Sequence, residues 1–180
     1  MNKIAQKILE TYLNEKKILS VDDLWLRDHE LTKTKDLCFV TLYKDWKIIA
    51  SSWRVSIKKS NTILELIENT LFCIKDPRFA EAIKNPLEVK KINFRVDIIT
   101  NEQRKVVSKV EEVDIKTDWL IIISQNLWKI WVVLPNITNL ISTPKDLFSL
   151  VCKKAGLDSD SLKEEDYVLY RIQSTVFSDF

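Results

Sequence analysis

One glycine, Gly156, serves a chain of 180 residues, where an average usage near 7% predicts about a dozen. Glycine adopts positive φ without steric cost, so a fold that lacks it must make its tight turns from residues that carry a Cβ. Tryptophan moves the other way, with six copies. The two anomalies meet in "TLYKDWKII" (41–49), which reads as two strand ends joined by a tight turn, and again in "KTDWLII" (116–122). A two-residue hairpin turn favours Asn-Gly or Asp-Gly, because its central residues need φ > 0. A bulky residue held there costs roughly 1–2 kcal/mol. Several such sites would remove much of the roughly 5–15 kcal/mol that keeps a domain folded.

The rest of the composition is ordinary. Hydrophobic residues make up 46% and charged residues 30%, the balance of a globular chain rather than a disordered one. A chain of this length buries roughly 70% of its unfolded surface, enough for one domain or two subdomains sharing a core. Net charge is +2, and "IKKS", "VKKINFR" and "CKKAG" are short basic runs separated by acids. The dense basic face of a nucleic-acid binder is missing. Cys38, Cys73 and Cys152 are widely spaced, with no CxxC or Cys/His cluster. That pattern points to reduced thiols in a cytoplasmic protein and to no metal site. "MNKIAQKILETYLNEKK" alternates charge and apolar residues too evenly for a signal peptide. Apolar runs such as "IWVVLP" are too short to span a bilayer.

Periodicity places the elements. Ile4, Ile8, Leu9, Tyr12 and Leu13 predict an amphipathic helix over 3–15, and "SVDD" (20–23) offers a helix cap. "LCFVTLYK" (37–44) and "KIIASSWRV" (47–55) predict a β-hairpin. Thr62 and Glu65 have capping-box spacing ahead of a helix that carries Ile63, Leu64, Ile67, Leu71 and Ile74 and stops at Pro77. "KKINFRVDIIT" (90–100) alternates as a strand, and two more strands are expected at 119–124 and 130–134. "STPKDLFSLVCKKAG" is a punctuated helix: Thr143 as N-cap, Pro144 in the first turn, Gly156 as the left-handed stop. "YVLYRIQSTVF" predicts one closing strand. Hairpins outnumber plausible βαβ units, so the expected class is α+β with a mainly antiparallel sheet flanked by helices.

Five fragments fall in one order: "FVTLYKDWKI", "IENTLFCIKDPRF", "FRVDIIT", "VVLPNI" and "LVCKKAGL". Together they resemble the AMMECR-type domain, named after the Alport syndrome, midface hypoplasia and elliptocytosis region. The resemblance covers about residues 5–178 and treats 1–180 as a single AMMECR-like domain. "DPRF" (Asp76 to Phe79) and "KAGL" (Lys154 to Leu157) are its more specific pieces. It implies an α+β fold with an antiparallel sheet and two subdomains around a cleft. It also implies genes that often neighbour those of Memo-like and radical-SAM proteins. No biochemical activity is firmly assigned to the family.

The chain departs from the family at its hallmark hexapeptide, Leu-Arg-Gly-Cys-Ile-Gly. Ile48, Ile49, Ala50, Ser51, Ser52 and Trp53 stand there. The arginine, the cysteine and both glycines are absent. Trp46, Trp53, Trp119, Trp128 and Trp131 all fall at or near positions where the family has glycine. Two accounts are open. Either the turns are rebuilt around packed indoles, or UGA codons that the organism reads as glycine are displayed here as tryptophan. The second account does not explain Ile49, Ala50, Ser51 and Ser52.

No residue is assigned a catalytic role, because a serine needs an adjacent base and His29 has no visible partnership. Cleft candidates are Ser51, Ser52, Arg54, Asp76, Arg78 and Phe79. Arg78 suits an anion clamp, or else a structural pair beside Asp76 and Pro77. Lys154 suits the negative end of a helix, Cys152 a buried apolar face, and His29 an exposed loop. Nothing marks a cofactor: no phosphate-cradling loop or nucleotide fingerprint is present. The first functional expectation is a binding or adaptor protein with a cleft. The alternative is an enzyme, or a component of a modification system working with Memo-like and radical-SAM proteins. Nucleic-acid binding is the third and least supported reading.

Overall fold

The computed structural model describes residues 1–124, 126, 128–133 and 141–180. They form two compact units, one from Met1–Thr100 with Ser174–Phe180, the other from Asn101–Gln173. Each unit is built on a four-stranded antiparallel sheet, so the expected single sheet is in fact two.

In the first unit, helix α1 (Asn2–Glu15) buries Ala5, Ile8 and Leu9 on one stripe and ends at Lys16 in the left-handed region. Ser20 and Asp23 then cap one another, each side chain accepting the other's backbone N–H at 3.1 and 2.9 Å. The hairpin of β1 (Leu37–Lys44) and β2 (Lys47–Ser52) closes on a two-residue turn, with Lys44 paired to Lys47. Both turn residues have positive φ, 51° at Asp45 and 64° at Trp46. This is the conformation that favours Asp-Gly.

Helix α2 (Thr62–Phe72) begins differently from the expected capping box. Asn61 is the cap, its side chain accepting from the Leu64 N–H at 2.9 Å. Thr62 instead hydrogen-bonds Thr34 and the backbone of Asp36, and Glu65 accepts from the N–H groups of Lys58 and Lys59. The spacing was right, but these longer-range partners satisfy the two side chains. A 3-10 turn (Cys73–Lys75) leads to α3 (Pro77–Ala82), with Asp76 as its cap. Strand β3 (Asn93–Ile99) starts later than its sequence pattern suggests, because residues 86–91 coil as a 3-10 turn.

The second unit holds β4 (Arg104–Val107), β5 (Trp119–Ser124), β6 (Lys129–Val133), α4 (Pro144–Ala155) and β7 (Tyr167–Ile172). The four residues of β4 carry no apolar alternation and were not predicted. Helix α4 has the expected ends: Thr143 and Asp146 form a capping box, and Gly156 stops it at φ 67°. Leu147, Val151 and Cys152 pack into the core with Leu120, Ile122 and Leu169.

Two expectations fail here. Asp118-Trp119 is no turn: Trp119 opens β5, pairs with Ile172 and is almost wholly buried. Nor is 167–177 one strand. It breaks after Ile172, and β8 (Thr175–Ser178) joins the first unit's sheet beside β3. Sheet orders are β2-β1-β3-β8 and β4-β7-β5-β6. Residues 134–137 of the "VVLPNI" fragment, and the expected strand end at 134, lie outside the described residues.

Candidate functional site

Alternation along a strand sends successive side chains to opposite faces of the sheet. In the first unit Cys38, Val40 and Leu42 of β1, with Phe94, Val96 and Ile98 of β3, pack against Ala5, Leu9, Leu66 and Phe79 of the helices. The intervening residues therefore share the other face. Register sets Ser51 beside Thr41 and Thr41 beside Arg95, and on the next row Phe39 beside Asp97. Two of the family-like fragments and the altered hexapeptide thus converge on one sheet face.

Arg95 and Asp97 form a two-pronged pair, Nε to Oδ2 at 2.9 Å and Nη2 to Oδ1 at 3.0 Å. Asp97 is fully buried and also accepts from Ser174 Oγ at 2.8 Å. Burial works against the Arg95 charge, but the Asp97 carboxylate and Tyr43 together outweigh it and raise the guanidinium pKa. Burial also raises the Tyr43 hydroxyl, against the opposing pull of Arg95.

At the β2 edge, Asp76 organises a second pair. Its carboxylate caps α3 by accepting from the Arg78 N–H at 3.1 Å, and it also accepts from the Ser51 N–H at 3.2 Å. The Arg78 guanidinium donates to the same carboxylate at 3.0 and 2.6 Å and reaches Ser51 Oγ at 3.4 Å. Hydrogen bonding from Arg78 is the main cause that holds the Asp76 carboxyl below its ordinary range. The Arg78 side chain remains half exposed. The half-exposed Arg78 guanidinium, beside the Ser51 hydroxyl, is suited to hydrogen-bonding a planar anionic or carbonyl group.

The other candidates lie elsewhere. Ser52 faces α2 and donates to Asn69 Oδ1 at 2.8 Å, while Asn69 donates to the Cys38 carbonyl at 2.9 Å. Arg54 pairs with Glu65 and Glu68 and lies 5.0 Å above the Phe72 ring, tying the 53–61 segment to α2. Phe79 is a core residue and presents no surface. His29 uses Nδ1 to accept from the Leu31 N–H at 3.1 Å, as the cap of a short 3-10 turn. Cys38, Cys73 and Cys152 are buried, and burial raises all three thiols, Cys152 to about 11. Arg95, Asp97, Thr41 and Tyr43 were missed, although the alternation of "FRVDIIT" already set Arg95 and Asp97 opposite the apolar residues.

The AMMECR1 family profile matches residues 2–177. The chain belongs to the AMMECR1 family. Its fold is similar to the crystal structure of the uncharacterized protein PH0010 from Pyrococcus horikoshii, with a TM-score of 0.74. Sequence identity is 17%, over 98% of this chain and 88% of that one. No curated protein matches the chain significantly. Within this AMMECR1-family fold, Ser51 and Ser52, aligned with the hexapeptide, point to opposite faces of β2. Among the described residues, no helix is long and apolar enough to cross a membrane.

Proposed function

We propose that this AMMECR1-family chain is a binding or adaptor protein that recognises a carboxylate-like or phosphate-like group through Arg78 at the β2 edge. The observation that carries this reading is the geometry of Arg78. Asp76 fixes its guanidinium at two points beside Ser51, yet half of the side chain is left to solvent. A guanidinium already oriented by its partner loses less freedom on meeting a ligand than a free one does. The serine chemistry supports binding over attack. Ser52 Oγ donates to an amide oxygen, and Ser51 Oγ accepts from a cation rather than facing a base.

The test is titration with inorganic phosphate and with acetate, followed by the NMR shifts of the Arg78 Nε–H and the Ser51 amide. Saturable shifts centred on these two groups are expected, and Arg78→Ala should abolish them. The Arg78 half of the pair is open to solvent, so its contribution is about 0–1 kcal/mol and the melting temperature should barely move. A large fall in melting temperature with anion binding intact would make Arg78 structural and overturn the proposal.

A further inference from the structure

Among the described residues, only Lys16, Trp25, Asp45, Trp46 and Trp128 have positive φ without being glycine. Lys16 closes a helix, and Asp45 belongs to a type that tolerates the left-handed region. The other three are tryptophans, with φ of 58°, 64° and 52°. Their side chains are 89%, 78% and 92% exposed, so burial does little to offset the strain.

Each occupies a position that glycine fills for a known reason. Trp25 donates its N–H to the Asp22 carbonyl at 3.0 Å, and Leu26 donates to Val21 at 3.1 Å. Gly156 and Leu157 repeat that pattern, with bonds to Lys153 at 3.1 Å and Cys152 at 2.9 Å. Trp25 thus closes a single turn with the left-handed φ and hydrogen-bond pattern of the chain's one glycine, a conformation glycine dominates. Trp46 is the second central residue of a two-residue hairpin turn whose central φ values are both positive, where Asp-Gly is favoured. Trp128 ends the β5–β6 connection, immediately before Lys129 pairs with Ser124. Trp53, Trp119 and Trp131 lack this signature, and Trp53 and Trp119 are packed: Trp53 stacks on Phe39, and Trp119 is buried in β5.

We propose that residues 25, 46 and 128 are glycine in the protein as its native cell makes it, their codons being UGA decoded as glycine. The positive-φ backbones and the exposed indoles then have a single cause, which also accounts for part of the glycine deficit. The deciding experiment is tandem mass spectrometry of the protein from its native source, covering Ile18 to Arg27, Lys44 to Arg54 and Thr117 to Lys129. Glycine at all three positions is expected, and tryptophan at any one overturns the proposal. A recombinant comparison gives a second readout. The chain carrying Trp25→Gly, Trp46→Gly and Trp128→Gly should melt roughly 2–4 °C higher per site than the chain as written. Equal or lower melting would contradict the claim that these backbones are built for glycine.

Discussion

The two sheets handle polarity in opposite ways. In the second unit, β5 is apolar through its middle, with Leu120, Ile121 and Ile122 fully buried and Asp118 and Ser124 only at its margins. In the first, the central strands bury Thr41 and Asp97 mid-strand, and α2 adds Glu65 and Asn69. A buried polar group is costly unless it is hydrogen-bonded. Asp97 is held by Arg95 and Ser174, and Glu65 by Arg54 and two backbone amides. The second sheet keeps its buried charge at the start of β5, where Asp118 meets Gln173 and Arg171. The first carries its Arg95–Asp97 pair mid-strand, on the face away from the helices, which is where a recognition surface can be built.

Breaking one pair should therefore cost the most. Asp97→Ala leaves the mostly buried Arg95 guanidinium without its partner carboxylate, and a loss of about 3–5 kcal/mol is expected. Denaturant unfolding gives the size, and hydrogen exchange should localise the loss to the first unit's strands. A cost below about 1 kcal/mol would mean that water serves Arg95 as well as Asp97 does, and the contrast between the sheets would collapse. In the second sheet the matching experiment is Ile121→Ala, expected to cost about 2–5 kcal/mol by leaving a cavity. The losses differ in kind. Changing Arg95 and Asp97 together to apolar residues should recover most of the first loss, whereas no change of partner repairs the cavity at Ile121.

These sheets were legible in the sequence to unequal degrees. Period-two alternation pointed to β3, β-branched and aromatic runs to β1 and β2, and the Thr143–Gly156 punctuation to α4, because those signals are local. The capping role of Thr62 was misassigned because Thr34 and Asp36 compete for its hydroxyl from 26 or more residues away. The break in 167–177 was invisible for a related reason. β7 and β8 read as one closing strand, and their partners in different sheets separate them. Asp-Trp was read alike at 45–46 and 118–119. Yet Lys44 pairs with Lys47 across the first, while Trp119 has Ile172 as a strand partner. The candidate site was half visible. Ser51, Asp76 and Arg78 were named, but weight on the hexapeptide position drew attention to Ser52 and away from Arg95 and Asp97. Position in a motif says nothing of which face a side chain takes, whereas alternation from a known core residue does.

The smallest effect tests the second sheet's apolar character most closely. Ser124 is buried, and among the described residues its Oγ has no hydrogen-bond partner. Its backbone is engaged in β5, paired with Lys129 on one side and Tyr167 on the other, so only the hydroxyl is in question. An unsatisfied buried hydroxyl costs about 1–3 kcal/mol, and replacing it with hydrogen removes that cost while leaving almost no cavity. Ser124→Ala should therefore leave stability unchanged or raise it by up to about 1 kcal/mol, read as a shift in denaturation midpoint at constant slope. The same change at Ser52, whose hydroxyl donates to Asn69, should lower stability by about 1 kcal/mol. Opposite signs for two strand serines would show that the first sheet uses its polar groups and the second merely tolerates one. If Ser124→Ala also destabilises, its hydroxyl has a partner, and the second sheet is less purely apolar than its central strand suggests.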